Sequence, residues 1–193
     1  MVPRNMAAAV RLQSGDILVT GGWSGSSRIQ SSELLTGTTW TAALELPSGR
    51  SGHCMLQLSS GLLFIHGGQT ASGTARDTYI SSDLTSWTPR VSSNTARKYH
   101  TCTEVTLNND VQVWLGGGYK VATTEIYNVA QDGYTSGPNL PNYSSFPGVL
   151  VAHAGQVYYG GGYKNKNIYQ LKEGWTQQDA WTKVSSCSYI TNI

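Results

Sequence analysis

Four hydrophobic runs in this chain end in paired glycines, and they return at a nearly constant interval. The runs are Ile17-Leu18-Val19-Thr20-Gly21-Gly22, Leu63-Phe64-Ile65-His66-Gly67-Gly68, Val113-Trp114-Leu115-Gly116-Gly117-Gly118 and Val157-Tyr158-Tyr159-Gly160-Gly161-Gly162. An aromatic followed by threonine recurs at Trp40, Trp87, Tyr134 and Trp181, each 47 residues after the last. Arg4, Arg50 and Arg97 precede the first three runs at spacings of 46 and 47 residues, with Ser144 at the fourth equivalent place. Three independent markers on one period define a repeat protein, in which each repeat is one supersecondary unit.

Each repeat resolves into four short strands, most plainly in the second. His53 to Leu58 is a buried inner strand, Ser60-Gly61 a tight turn, and Leu62 to Gly68 a second strand. Asp77 to Ser81 forms a more polar third strand, and Ser86 to Val91, carrying Trp87, a fourth. The third repeat turns instead at Asn108-Asn109-Asp110 and carries a small insertion. With 22 Gly, 11 Tyr and 6 Trp, the composition suits pleated surfaces joined by tight turns. No segment sustains a 3.6-residue apolar period. The expected class is all-β with almost no helix.

These residues resemble the Kelch repeat family. Its pattern is an Arg and often a His, a strand ending in Gly-Gly, a Glu-x-Tyr-like strand, then a Trp. Arg50, His53, Gly67, Gly68, Tyr79 and Trp87 match it, as do Arg97, His100, Gly117, Gly118, Glu125, Tyr127 and Tyr134. The first repeat keeps Arg4, Gly21, Gly22, Glu33 and Trp40 but has Ala7 in place of His. The fourth departs most, with Ser144 and Pro147 for Arg and His. Its Trp is ambiguous, since Trp175 fits the family spacing and Trp181 the internal period.

The resemblance implies a β-propeller of four Kelch repeats, each a four-stranded antiparallel blade, in a single domain over residues 1–193. The repeats run approximately 1–46, 47–93, 94–140 and 141–187, with a tail at 185–193. The glycine pairs are expected to take positive φ, the Trp residues to fill the wedge between blades, and the Arg residues to donate to linker carbonyls. Four repeats admit two versions, a complete small propeller or a segment of a longer array. Closure within one chain is the expectation, because a closed array has no free edges.

Chemistry finds little foothold. A net charge of +2 from 13 scattered Lys and Arg offers no stripe for a phosphate backbone, so no nucleic-acid partner is expected. No stretch nears the ~20 apolar residues of a membrane helix, and the first residues lack the apolar core of a secretory signal. Cys54, Cys102 and Cys187 form no CxxC pair. They read as small buried hydrophobes, not as a disulfide framework or zinc site. Compartment stays open, with the sequon Asn142-Tyr143-Ser144 leaning extracellular. His53, His66, His100 and His153 show no metal-ligand spacing. No catalytic set of the Kelch-type enzymes maps onto this chain, so neither an enzyme nor a cofactor is expected.

The candidate binding residues lie just after the glycines. The third and fourth repeats share Gly-Gly-Gly-Tyr-Lys, giving Tyr119 with Lys120 and Tyr163 with Lys164. The first repeat has Trp23 at that place, and the second Gln69. Aromatic rings beside cations on one loop face suit a protein partner, with carbohydrate as second choice. The linker residues Arg50, Arg97 and Tyr143 would add polar contacts at the rim. A fragment or small member of a Kelch-type enzyme and a self-assembling propeller segment are the alternatives. The chain is expected to be a monomer if the ring closes, and otherwise to associate through its terminal blades.

Overall fold

The computed structural model describes residues 2–107, 110–141, 148–162 and 165–186. They build sixteen strands in four antiparallel sheets, with no helix among the described residues. The first sheet is β1 (Ala8–Arg11), β2 (Ile17–Thr20), β3 (Ser32–Thr36) and β4 (Thr39–Ala43), and the second is β5 (Cys54–Gln57), β6 (Leu63–Thr70), β7 (Gly73–Ser81) and β8 (Thr88–Arg90). The third holds β9 (Thr101–Leu107), β10 (Asp110–Gly116), β11 (Thr124–Asn128) and β12 (Gly133–Ser136). β13 (Val149–His153), β14 (Gln156–Gly160), β15 (Asn167–Leu171) and β16 (Trp181–Ser186) make the fourth. Neighbours in sequence are neighbours in each sheet. The chain divides into two compact units, Met1–Lys98 and Tyr99–Ile193, each holding two sheets.

The glycine pairs directly follow the second strand in three sheets and lie within it in the second, always in the left-handed region. Gly21 and Gly22 have φ of 60° and 105°, Gly67 and Gly68 61° and 95°, Gly117 and Gly118 63° and 130°, and Gly161 and Gly162 75° and 90°. Side chains are excluded there by space as well as by φ: a Cβ on Gly21 would stand 2.5 Å from the Arg50 carbonyl oxygen. That close approach lets the following linker dock. Gly22 N donates to Arg50 O and Gly68 N to Arg97 O, both at 2.8 Å. In the second sheet the pair also carries a bulge, with a register shift between His66 and Gly68. β6 and β7 then continue past it to a turn before Gly73, so the third strand is longer than the sequence pattern implied. A bulge absorbs the unpaired residue without ending the ladder.

In the first unit, Leu12, Leu18 and Leu46 pack against Met55, Leu63 and Ile65, flanked by Ala8, Val10, Leu34, Tyr79 and Trp87. The second unit repeats the joint, with Val105, Trp114, Ile126 and Leu140 against Leu150, Val157 and Tyr159. Trp87 Nε1 donates to Glu45 O at 3.0 Å, and Trp181 Nε1 to Asn139 O at 2.9 Å, across the same 42 residues. Trp181 is therefore the periodic residue. Trp175 instead sits edge-on to Trp114, with ring centroids 6.3 Å apart. Trp87 is half-buried, so Trp87→Ala is expected to cost about 3 kcal/mol, at the low end for a large aromatic. A denaturation midpoint that does not move would contradict this packing role.

The cysteines differ from expectation. Cys54 and Cys102 are both disulfide-bonded. They lie in the first strands of the second and third sheets. The third cysteine, Cys187, falls outside the described residues.

Candidate ligand-binding groove

The loop between β2 and β3 starts at the first glycine pair and is held from both sides. Trp23 pairs with Asn5 through two backbone bonds, Asn5 N to Trp23 O at 3.0 Å and Trp23 N to Asn5 O at 2.8 Å. The equivalent exchange joins Ser51 and Gln69 in the second sheet, at 3.1 and 2.8 Å. Trp23 and Gln69 therefore occupy matching positions, as the repeat implied. Ser24 closes the loop tip: its N–H donates to Ser27 O at 3.0 Å, and its Oγ accepts from Ser27 N at 3.1 Å. The chain returns through Arg28, which bridges back to Trp23.

This fold-back stacks a cation on an aromatic ring. Arg28 Cζ lies 5.3 Å from the centre of the Trp23 ring, a cation–π distance. Arg28 Nε is buried without a hydrogen-bond partner. The linker to the second sheet presses on the same loop, with Leu46 N donating to Gln30 O at 2.9 Å and Arg50 N to Ile29 O at 3.2 Å. Gly49 is required there, since a Cβ would stand 2.5 Å from Arg28 O. The loop, the linker at Ser48 and Gly49, and the β6–β7 turn at Thr70 to Ser72 enclose a groove of about 430 Å³. Trp23, Ser26, Ser27 and Arg28 form its wall. No carboxylate lines it.

The other candidate residues are placed differently. Tyr119 is 39% exposed, with Lys120 Nζ 5.4 Å from its ring centre. Together they form a smaller aromatic–cation patch on the second unit. Tyr163, Lys164 and Tyr143 lie outside the described residues. Gln69 accepts from Lys98 Nζ at 2.7 Å.

Arg50 and Arg97 are not rim residues: both are fully buried. Arg50 Nη1 donates to Gly67 O at 3.0 Å and to Asp77 at 2.8 Å, while Nη2 reaches Asp77 at 2.9 Å and Ser48 at 3.0 Å. Arg4 does the same in the first sheet, donating to Gly21 O at 2.7 Å, Ser31 O at 2.9 Å and Glu33 at 2.7 Å. A guanidinium with five donors in a fixed fork suits such a set of internal acceptors. Arg28, the cation that does line a groove, was not singled out by the repeat because it has no counterpart on the period. Its signal was local: a lone Arg closing the Ser-Gly-Ser-Ser loop that begins at Trp23.

The buried histidines are paired with hydroxyls. His53 Nε2 lies 2.8 Å from Thr20 Oγ1 and His66 Nε2 2.9 Å from Ser93 Oγ. Desolvation holds the pKa of each down to about 3, aided by Arg50 beside His53 and by Arg97 beside His66. Among the described residues no group of three or more His, Cys, Asp or Glu could hold a metal ion. Comparison with protein-family models and with curated proteins returns no match to this chain.

Proposed function

We propose that the chain is a Kelch-type β-propeller module that binds a protein partner without catalysis, seating a carboxylate-bearing peptide segment in the Trp23–Arg28 groove. The observation that carries this reading is a stacked Trp–Arg pair on the wall of a groove that contains no acid. The positive charge of Arg28 on the groove wall favours an anionic ligand, and the indole supplies a flat apolar contact for the adjoining chain. By sequence, Tyr119 with Lys120 and Tyr163 with Lys164 carry the same residue types in the second unit. Support for the Kelch assignment is the repeated set of arginine donors, positive-φ glycine pairs and inter-sheet Trp bonds. Support for a non-catalytic role is that His53 and His66 are buried, neutral and engaged by hydroxyls. Disulfide bonding of Cys54 and Cys102 favours an oxidising compartment.

The serines and Thr70 around the groove keep a sugar ligand as the second reading. Probing immobilised protein with acidic peptides, their amidated counterparts and neutral glycans separates the two. Acidic peptides should be retained, and Trp23→Ala or Arg28→Gln should weaken them by roughly 30-fold, the scale of an interface anchor. Both variants should keep the wild-type denaturation midpoint. Retention of glycans alone would move the assignment to carbohydrate, and equal binding by wild type and variants would overturn the groove.

A further inference from the structure

The hydroxyl hydrogens of the Trp23–Arg28 groove have few acceptors inside the protein. Ser48 Oγ accepts from Arg50 Nη2 at 3.0 Å, which leaves the hydroxyl hydrogen of Ser48 for an outside acceptor. A hydroxyl that already accepts from a guanidinium is polarised and donates more strongly. Ser26 Oγ and Ser27 Oγ each lie 3.3 Å from Ser24 Oγ, long for a bond between hydroxyls. Both hydrogens can therefore turn into the groove. Thr70 differs, because its Oγ1 accepts from Ser72 N at 3.2 Å and donates to Gly73 O at 3.1 Å.

Charge narrows the ligand further. Arg28 is the only charged residue in the groove lining. One guanidinium balances one negative charge, and a second charge brought out of water would stand uncompensated. A phosphate ester carries about −1.5 to −2 charges near neutral pH. Its singly charged form keeps a hydroxyl hydrogen that asks for a strong acceptor, and the lining holds no carboxylate. A carboxylate ligand has the matching charge but only two oxygens. A sulfate ester is a monoanion across the ordinary pH range, bears no hydrogen, and has three terminal oxygens. Arg28, Ser48 and the Ser26–Ser27 pair offer a donor group to each.

The stacked pair indicates what carries the sulfate. Arg28 Cζ, 5.3 Å from the Trp23 ring centre, extends the indole into a longer flat surface on which an aromatic ring can lie. The groove volume of about 430 Å³ is in the range of small-ligand clefts. Disulfide-bonded Cys54 and Cys102 are in keeping with an oxidising compartment, where peptides meet tyrosine sulfation.

We propose, on the footing of the peptide reading above, that the side chain seated in this groove is a sulfated tyrosine. Its ring lies along Trp23 and Arg28, and the sulfate oxygens accept from Arg28, Ser48, Ser26 and Ser27. Carboxylates enter the same place with fewer bonds.

Fluorescence anisotropy with one short peptide, a tyrosine between aspartates, tests this. The peptide is titrated unmodified, sulfated, phosphorylated, and with glutamate in place of tyrosine, with a sulfated oligosaccharide alongside. The sulfated peptide should bind roughly tenfold more tightly than each of the others, the scale of one added bond to a charged group. Ser48→Ala should remove most of that preference and change the glutamate form by less than about twofold. Ser48 also supports Arg50, so Ser26→Ala with Ser27→Ala is the second variant. Both of these side chains are exposed, so the denaturation midpoint should stay at the wild-type value while the preference falls. Equal binding of the sulfated, unmodified and glutamate forms would overturn the proposal and leave the acidic-peptide groove standing. Tighter binding of the phosphorylated form or of the oligosaccharide would overturn it as well, as would a preference that survives both sets of variants. Failure of every peptide form to bind would remove the groove and the proposal together.

Discussion

Acidification from pH 7 to pH 5 is expected to destabilise the fold by about 4 kcal/mol, half from His53 and half from His66. Both have folded pKa values of about 3 against an ordinary 6.5, set first by desolvation. Asp77 opposes the shift at both rings, and the neighbouring arginines reinforce it. A depressed value means that the unfolded chain takes up protons below 6.5 while the folded one does not. The stability is therefore intact above that pH and is lost progressively as pH falls from 6.5 towards 3. At pH 5 the gap amounts to roughly 2 kcal/mol per ring. Urea titrations at the two pH values measure it, and His66→Gln should remove about half of the difference. A stability unchanged between pH 7 and 5 would mean that the rings are hydrated.

Replacing Arg50 should be about as damaging at neutral pH. Arg50→Met keeps much of the volume but strips Gly67 O, Ser48 and Asp77 of their donor, and breaking one side of a buried ion pair costs about 3–5 kcal/mol. Asp77 retains some access to water, at 32% side-chain exposure, which places the expected value near the lower end. Arg50→Lys should rescue little, since one ammonium cannot span the two Asp77 oxygens and the glycine carbonyl together. A wild-type midpoint for Arg50→Met would show that the network carries no net stability.

Much of this architecture is written in the period. Gly21 and Gly22 announce a left-handed turn because few other residues tolerate it, and Arg4 and Arg50 mark the acceptors that such a turn leaves nearby. Spacing from Tyr169 pointed to Trp175 and the 47-residue period to Trp181, and the bond across the joint agrees with the period. What the period could not supply were features that occur once. Arg28 lies on a loop whose counterparts differ in length, and the bonding of Cys54 and Cys102 depends on partners brought together only by the fold. Burial of Arg50 and Arg97 was also hidden. Their repeat position marked them as donors to linker carbonyls, but the added expectation of rim contacts missed that the guanidinium is fully enclosed between a linker and a glycine turn.

Arg50 serves two sheets at once, its carbonyl accepting from Gly22 and its guanidinium holding Gly67 and Asp77. Arg97 repeats the first half of that arrangement through Gly68. A stretch of chain copied from one such arginine to the next would arrive with its own fastening at the front and a vacant socket at the back. Lengthening the gene by whole copies would then need no newly invented interface, and an insertion out of phase would sever a fastening from its socket. The tolerated breakpoints should lie just ahead of Arg50 and Arg97, where duplication leaves every joint complete.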